Sequence, residues 1–120
     1  MPVYERSNLG HGIVHIGVGG FHRAHEAVYT HQLLQAGGSP DWSICGVGLR
    51  EGDRAMHQVL SDQDHLYTLI ELGADRTNTL SVSGAITGFM FAPDEQDAVI
   101  EKMASSEVKI VSLTITEGGY

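Results

Sequence analysis

The stretch HIGVGGFHRAH, residues 15–25, decides the fold, because an apolar run ends there in a cluster of glycines and a helical pattern begins. The apolar, β-rich run of residues 12–20 predicts a buried parallel strand. From His22 to Gln35 apolar side chains recur at helical spacing, and the AGGSP segment that follows ends the helix. The glycines therefore lie directly after a strand and directly before a helix, which is the context that a dinucleotide-binding turn requires.

The glycines of this turn suit a phosphate group. Gly17 allows a tight turn, and Gly19 and Gly20 let the backbone approach a pyrophosphate with no Cβ in the way. Free amides at the start of the helix favour an anion, and Arg23 can add a charge-assisted contact. His22 stands where the fingerprint has its third glycine, so we expect the helix to lie slightly further from the strand. The pattern favours a nucleotide site, and an ordinary glycine-rich strand-to-helix turn is the alternative.

The second component of a dinucleotide site is an acid at the end of the second strand, which accepts hydrogen bonds from the adenosine ribose. Residues 42–49, WSICGVGL, predict that strand, and Glu51 and Asp53 come just after it. Arg50 and Arg54 flank the two acids, so a 2′-phosphate can be tolerated. The acids favour NAD over NADP, and a solvated loop before a helix is the alternative interpretation.

The remaining elements predict an α/β fold with a Rossmann-like, mostly parallel sheet, because apolar strands alternate with helices. Residues 1–11 are polar and aperiodic and are interpreted as an N-terminal arm. Two β-prone runs separated by a polar turn predict a β-hairpin excursion from the main sheet, at residues 65–72 and 79–92. The other predicted elements are helices at residues 52–63 and 94–106, the latter with Asp94 as its N-cap, and a strand at residues 108–116.

Charge and composition exclude several classes of protein. Seven Lys and Arg against fifteen Asp and Glu give a net charge of -8, which argues against a nucleic-acid partner. The single Cys45 excludes an internal disulfide and is typical of a reducing compartment. No apolar run approaches the length that spans a bilayer, and the first residues contain no signal-peptide pattern. We expect a cytoplasmic protein with neither a nucleic-acid nor a membrane partner.

The histidines and the last carboxylate raise further alternatives. His15, His22 and His25, with Glu26 beside them, suggest a metal site. His22 and His25 are three residues apart and can share a helix face, but no clear third ligand follows at zinc spacing, so we predict no metal site. His15 is expected in a hydrogen-bonded core position on its strand. Glu117 follows the last predicted strand, at the edge where doubly wound sheets bind ligands, so it either faces the cofactor or is a solvated loop acid.

In GIVHIGVGGFHRAH, DWSICGVGLREGDR, QDHLYTLIELG and KIVSLTITEGGY the chain resembles, in order and spacing, the N-terminal part of the mannitol dehydrogenases. These belong to the polyol-specific long-chain dehydrogenases, which include fructuronate and other hexuronate reductases. The resemblance implies a zinc-independent, NAD-dependent hydride transfer between a sugar alcohol and a ketose, such as D-mannitol and D-fructose. By matching positions, residues 13–24 are the family's cofactor-binding segment and Asp53 is its ribose-binding acid. Gly52 stands where the family often has a second acid.

The predicted cofactor-binding residues are Gly17, Val18, Gly19, Gly20, Phe21, His22, Arg23, Asp53, Thr116 and Glu117. Members of the family that the chain resembles are several times longer, and a helical C-terminal domain supplies their catalytic lysine. Lys102 and Lys109 do not match that lysine, so no catalytic residue is predicted here. We therefore expect residues 12–120 to form a partial, truncated NAD-binding Rossmann domain that is inactive alone and able to self-associate through its uncovered face. The alternatives are a stand-alone nucleotide-binding or regulatory module without catalysis, and a metal hydrolase.

Overall fold

The computed structural model describes residues 1–115 and contains six strands, β1 (Ile13–Ile16), β2 (Ile44–Gly48), β3 (Tyr67–Leu72), β4 (Asn78–Ser83), β5 (Ile86–Phe91) and β6 (Ile110–Leu113). Four of them form a parallel sheet in the order β5–β2–β1–β6. The other two, β3 and β4, pair antiparallel in a separate hairpin. The predicted Rossmann-like fold class with a hairpin excursion is confirmed.

The order of the strands places the ligand-binding edge of the sheet. The chain passes from β1 outward through β2 to β5 and then returns to the other side of β1 with β6. Because all four strands run the same way, their carboxyl ends share one edge. Strands are added on one side of β1 up to β5 and on its other side with β6. The boundary between β1 and β6, where this order of addition reverses, is the topological switch point, beside which open α/β sheets bind their ligands.

The helices are α1 (Gly20–Ala24), α2 (Glu26–Gln35), α3 (Arg54–Asp62) and α4 (Ala92–Ala104). The predicted helix from His22 to Gln35 begins at Gly20 and is divided at His25, whose φ of -125° and ψ of -85° are not helical. A short 3₁₀ turn, Glu51–Asp53, precedes α3. Within the described residues no helix has the length and apolarity needed to cross a membrane.

The start of α4 differs from the prediction, because Asp94 is not its N-cap. The helix begins at Ala92, with Pro93 in its first turn, where a fixed φ and a missing N–H are favourable. Glu95 Oε2 accepts a hydrogen bond of 2.8 Å from the N–H of Phe91, the capping position. Pro93 therefore belongs to a first turn that a kink at Glu95, with a φ of -138° and a ψ of 34°, separates from the rest of α4.

The core forms two layers, one on each face of the sheet. One face packs against α2 and α3 through Ile44, Leu34 and Leu60, and the other packs against α4 through Val47 and Val99. Every residue of β2 is buried, as expected for an inner strand covered on both faces. Each fully buried aliphatic side chain stabilises the fold by roughly 1.5–3 kcal/mol. This rigid sheet determines where its carboxyl edge presents functional residues.

The predicted β-run of residues 79–92 supplies two strands that belong to different sheets, and the N-terminal arm packs where they separate. The run divides at Gly84 and Ala85, between β4 and β5. The guanidinium of Arg6 donates hydrogen bonds of 3.0 and 2.9 Å to the carbonyl oxygens of Gly84 and Ile86, and it pairs with Asp64. The predicted arm is therefore fixed to the joint between the hairpin and the main sheet.

Candidate functional site

The glycine turn connects the carboxyl end of β1 to α1. Gly17 has a φ of +97°, a conformation that residues with a Cβ rarely adopt. Its N–H donates a hydrogen bond of 2.9 Å to the carbonyl oxygen of Val47, which fixes the turn to β2. Apart from its chain neighbours and the backbone of α1, a Cβ built on Gly17, Gly19 or Gly20 would meet no atom of residues 1–115 within 4 Å. The backbone of the turn therefore borders open space that a ligand can approach.

The second half of the turn carries amides that the helix does not use. The first helical hydrogen bond runs from the N–H of Arg23 to the carbonyl oxygen of Gly19, at 3.1 Å. The amides of Gly20, Phe21 and His22 precede it, so α1 offers them no acceptor. Arg23 Nε also donates to the carbonyl oxygen of Gly19, at 3.3 Å. The turn thus combines unused donors with a nearby guanidinium.

Val18 and Phe21, the two apolar residues of the turn, have opposite environments. Val18 is buried, and a Cβ on Gly46 of β2 would lie only 2.4 Å from its Cγ2. Phe21 is 66% exposed, and its ring stacks on that of His25 with centroids 4.3 Å apart. Val18 anchors the turn in the core, whereas Phe21 presents an aromatic face beside it.

Asp53 lies over the carboxyl end of β2. Its Oδ2 accepts hydrogen bonds from the N–H groups of Leu49 and Arg50, at 3.0 and 3.1 Å. A Cβ on Gly48 would lie 2.9 Å from the Cβ of Asp53, so this approach depends on glycine. One carboxylate oxygen therefore fixes the loop, and among the described residues none donates a hydrogen bond to the other.

The two arginines that flank the acids have different roles. The guanidinium of Arg54 pairs with Glu51 and Asp94, and these hydrogen bonds raise the pKa of Arg54. It also lies 4.5 Å from the centre of the Phe91 ring. Arg50 instead borders the cleft described next. Of the two cations, Arg50 is therefore the one placed to meet a bound anion.

A cleft of about 480 Å³ joins the glycine turn to Asp53 along the carboxyl ends of β1, β2 and β6. Polar groups stand at the Asp53 end, and aliphatic side chains form the walls. The lining residues are Ile16, Gly17, Leu49, Arg50, Gly52, Asp53, Leu113 and Thr114. This lining suits a ligand that has both apolar and polar parts.

On the other side of β1 lies a group of side chains that we call the histidine cluster, His15, His22, Glu26, Ser112 and Thr114. Nδ1 of His15 is hydrogen-bonded to Ser112 Oγ at 2.7 Å, and its Nε2 is hydrogen-bonded to Thr114 Oγ1 at 2.9 Å. The ring of His22 stacks on that of His15, with centroids 3.8 Å apart and planes 8° apart. Oε1 of Glu26 is 3.4 Å from Nδ1 of His15 and 3.5 Å from Nδ1 of His22. The predicted hydrogen-bonded core position of His15 is thus observed.

Burial determines the charge of this cluster. It lowers the pKa of His22 to about 3, and repulsion from His15, when that ring is protonated, and from Arg23 acts in the same direction. Burial also lowers the pKa of His15, although the carboxylate of Glu26 opposes that shift. Both rings are therefore neutral at neutral pH. Within the described residues neither ring nitrogen of His22 has a hydrogen-bond partner.

The cluster brings together possible metal ligands in an unfavourable geometry. His15, His22 and Glu26 offer donor atoms within 4.8 Å of one another. The lone pairs of imidazole lie in the ring plane, so a single ion cannot lie in the planes of two nearly parallel, stacked rings. His25 does not join them, because its Nδ1–H donates to the carbonyl oxygen of Phe21 at 2.7 Å. The absence of a metal site stays a prediction.

One residue near the site, Ser112, was not predicted from the sequence, and two predicted residues lie outside the described range. Ser112 joins the cluster because it pairs with His15 in the parallel register of β1 and β6. The sequence of the last strand could not predict this contact, because it depends on which strand lies beside β6 and in which register. Thr116 and Glu117, which we predicted to contact the cofactor, lie outside the described residues.

Comparison with known proteins identifies relatives along the whole chain. A family model described as the mannitol dehydrogenase Rossmann domain matches residues 11–120. Mannitol 2-dehydrogenase of Pyricularia oryzae is 55% identical over all of this chain, which covers 24% of that protein. The enzyme of the same name from Aspergillus fumigatus is 57% identical, again over the whole chain and 24% of the relative. The chain spans about a quarter of the length of these relatives.

Two solved structures share the fold. The ternary complex of Pseudomonas fluorescens mannitol 2-dehydrogenase with NAD and D-mannitol matches with a TM-score of 0.94 and 53% identity, covering 99% of this chain and 24% of that one. A substrate-free D-sorbitol dehydrogenase matches with a TM-score of 0.91 and 41% identity, covering 99% of this chain and 25% of that one.

Proposed function

Because the chain belongs to the family of mannitol dehydrogenase Rossmann domains, we propose that it binds a nicotinamide dinucleotide along the cleft from Asp53 to the glycine turn. The cofactor is NAD in preference to NADP. The reaction is hydride transfer between a sugar alcohol and a ketose, of the mannitol and fructose type. Bound NAD supplies the hydride acceptor for that reaction. The described residues bind and orient it, and none of them is assigned a catalytic role.

The observation that carries this proposal is the continuity of one cleft between an open glycine backbone and an acid at the end of β2. Space at Gly17, Gly19 and Gly20 lets a pyrophosphate approach the unused amides that follow. The free oxygen of Asp53 is positioned to accept a hydrogen bond from an adenosine ribose hydroxyl. The residues present therefore fit a dinucleotide at both ends of the adenosine diphosphate part.

Charge supports NAD over NADP. A 2′-phosphate would bring its negative charge to the carboxylate of Asp53, which is fixed by two backbone amides and cannot easily turn away. Arg54 is already paired with Glu51 and Asp94. Arg50 is the cation that borders the cleft and allows residual binding of NADP.

Titration with NADH tests the proposal, because energy transfer from Trp42 and enhanced NADH fluorescence both report binding. We expect saturable binding, with weaker binding of NADPH. Asp53→Asn should raise the Kd for NADH about tenfold, since a charge-assisted hydrogen bond is lost. It should also reduce the ratio of the Kd for NADPH to the Kd for NADH. Asp62→Asn, which removes an exposed carboxylate at the far end of α3, is the matched control. Absence of saturable binding at millimolar NADH, with a folded protein by circular dichroism, refutes the proposal.

The setting that we propose is the reducing cytoplasm. Cys45 is buried in β2, and burial raises the pKa of its thiol to about 11. The thiol therefore stays protonated and unreactive, which argues against a nucleophilic or redox role.

A further inference from the structure

The third position of the glycine fingerprint holds a buried histidine that cofactor binding alone does not explain. A glycine at this position permits close contact between helix and strand. Here the side chain of His22 is 0% exposed, and its ring lies flat on the ring of His15 from β1. Two stacked imidazoles therefore separate α1 from β1 where glycine would leave the two backbones in contact.

The two rings of this stack are held by different groups. His15 is fixed through both ring nitrogens to hydroxyls of Ser112 and Thr114 at β6. His22 has no hydrogen bond among the described residues, so stacking on His15 and the nearby carboxylate of Glu26 hold it. Ser112 Oγ also lies within 3.3 Å of Glu26 Oε1, which connects β6 to the start of α2. The stack thus transmits the position of two strands to the first turn of α1.

We propose that His22 is a positioning residue for the dinucleotide. Its ring, seated on His15, holds the glycine turn at the height at which the amides of Gly20 and Phe21 meet the pyrophosphate. This role rests on the proposed function. Because protein interiors are close-packed, removing the ring leaves a space that the short helix α1 can close only by moving toward β1. That movement carries the amides of the turn away from the cleft.

His22→Gly is the decisive variant, because it completes the glycine fingerprint. If the motif alone governs binding, this variant binds NADH as tightly as the wild-type protein or more tightly. If His22 positions the turn, the Kd for NADH rises about tenfold or more. His22→Phe restores a flat ring without ring nitrogens and should keep the Kd within about threefold of the wild-type value.

His31→Phe is a matched control for general loss of stability. The ring of His31 is half-buried on α2 and packs edge-on against Tyr4, with centroids 5.5 Å apart, away from the turn. Its Nδ1 also contacts the hydroxyl of Tyr4 at 2.6 Å, so the variant loses a hydrogen bond. We expect lower stability with an unchanged Kd for NADH.

Amide chemical shifts of Gly17, Gly19 and Gly20, measured by NMR without NADH, give a second readout that stability does not affect. We expect these shifts to change in His22→Gly and to stay unchanged in His31→Phe. If His22→Gly does not fold, His22→Ala, which opens the same space with a residue of higher helix propensity, should show the same changes.

The outcomes separate the two proposals. A folded wild-type protein that does not bind NADH refutes the proposed function and the positioning role with it. A wild-type protein that binds NADH, beside a folded His22→Gly variant with unchanged Kd or unchanged amide shifts, overturns the positioning role alone.

Discussion

Acidification should destabilise this protein through His22. Burial holds the pKa of His22 at about 3 in the folded state, whereas a histidine in an unfolded chain titrates near 6.5. Between these values the unfolded state binds a proton that the folded state does not bind. The stability contributed by the neutral ring is therefore complete above pH 6.5 and is lost as the pH falls from 6.5 toward 3.

The magnitude follows from the two pKa values. Lowering the pH from 8 to 5 should cost about 2 kcal/mol of unfolding free energy through this ring. Among residues 1–115, the charged or titratable groups that face it are His15 from β1, Arg23 from α1 and Glu26 from α2. The first two oppose protonation, and Glu26 favours it from 3.5 Å. Any attraction by Glu26 raises the pKa of His22 and so reduces this cost, which makes the figure an upper value. Because the side chain of Glu26 is 37% exposed, solvent keeps that reduction small.

Urea unfolding of the wild-type protein and His22→Phe at pH 8 and pH 5 measures this effect. The variant keeps a stacked ring that cannot titrate. His11, His31 and His65 also have pKa values lowered by burial, but they are present in both proteins and their contributions cancel in the difference. His15 is in contact with the substituted ring, so the difference reports the stacked pair and not His22 alone. The wild-type protein should lose about 2 kcal/mol more than the variant between the two pH values, with equal m-values. Equal losses in the two proteins would refute the argument.

Three further predictions concern the turn and the open edge of the sheet. Gly17→Ala should lower stability by about 1–2 kcal/mol in urea unfolding, because φ is +97° there, and a smaller loss than in Gly52→Ala would contradict it. Gly46→Ala should lower the free energy of unfolding by about 1–3 kcal/mol, because the new Cβ would lie 2.4 Å from Val18 Cγ2. A Tm equal to that of the wild-type protein would contradict this, since it would mean that Val18 moves aside without loss of stability. The edge strand β6 exposes Val111 and Leu113 by 47% and 55%, so we expect concentration-dependent association in light scattering that Leu113→Lys reduces. A monodisperse wild-type monomer would contradict this last expectation.

The elements that the sequence predicted well are those whose signals are local. The strand–turn–helix at Gly17 was readable because glycine spacing and the change of hydrophobic period occur within a few residues. Asp53 was placed at the end of β2 for the same reason. The predicted N-cap of α4 was wrong because the prediction relied on the carboxylate of Asp94, whereas Pro93 lies in the first turn and Phe91 is the N-cap.

Predictions of element boundaries were less accurate where the boundary is not marked in the local sequence. The β-prone run of residues 79–92 was interpreted as one element despite Gly84, yet it contributes to two sheets because β5 pairs with β2. The division of the first helix at His25 likewise lies within a continuous helical pattern. In the β-run, the pairing of β5 with β2 overrides the local periodicity.

The amino-acid sequence by itself determined the order of strands and helices, the glycine turn and the acid that faces it, because each depends on the conformational preference of a few adjacent residues. The surroundings of His22 were decided by the tertiary structure alone. Its environment comes from His15 on β1, from Glu26 on α2, and from Ser112, which is 97 residues away from His15 along the chain. Local sequence showed only that a glycine was absent from the fingerprint, whereas the pairing of β1 with β6 showed that a stacked ring stands in its place.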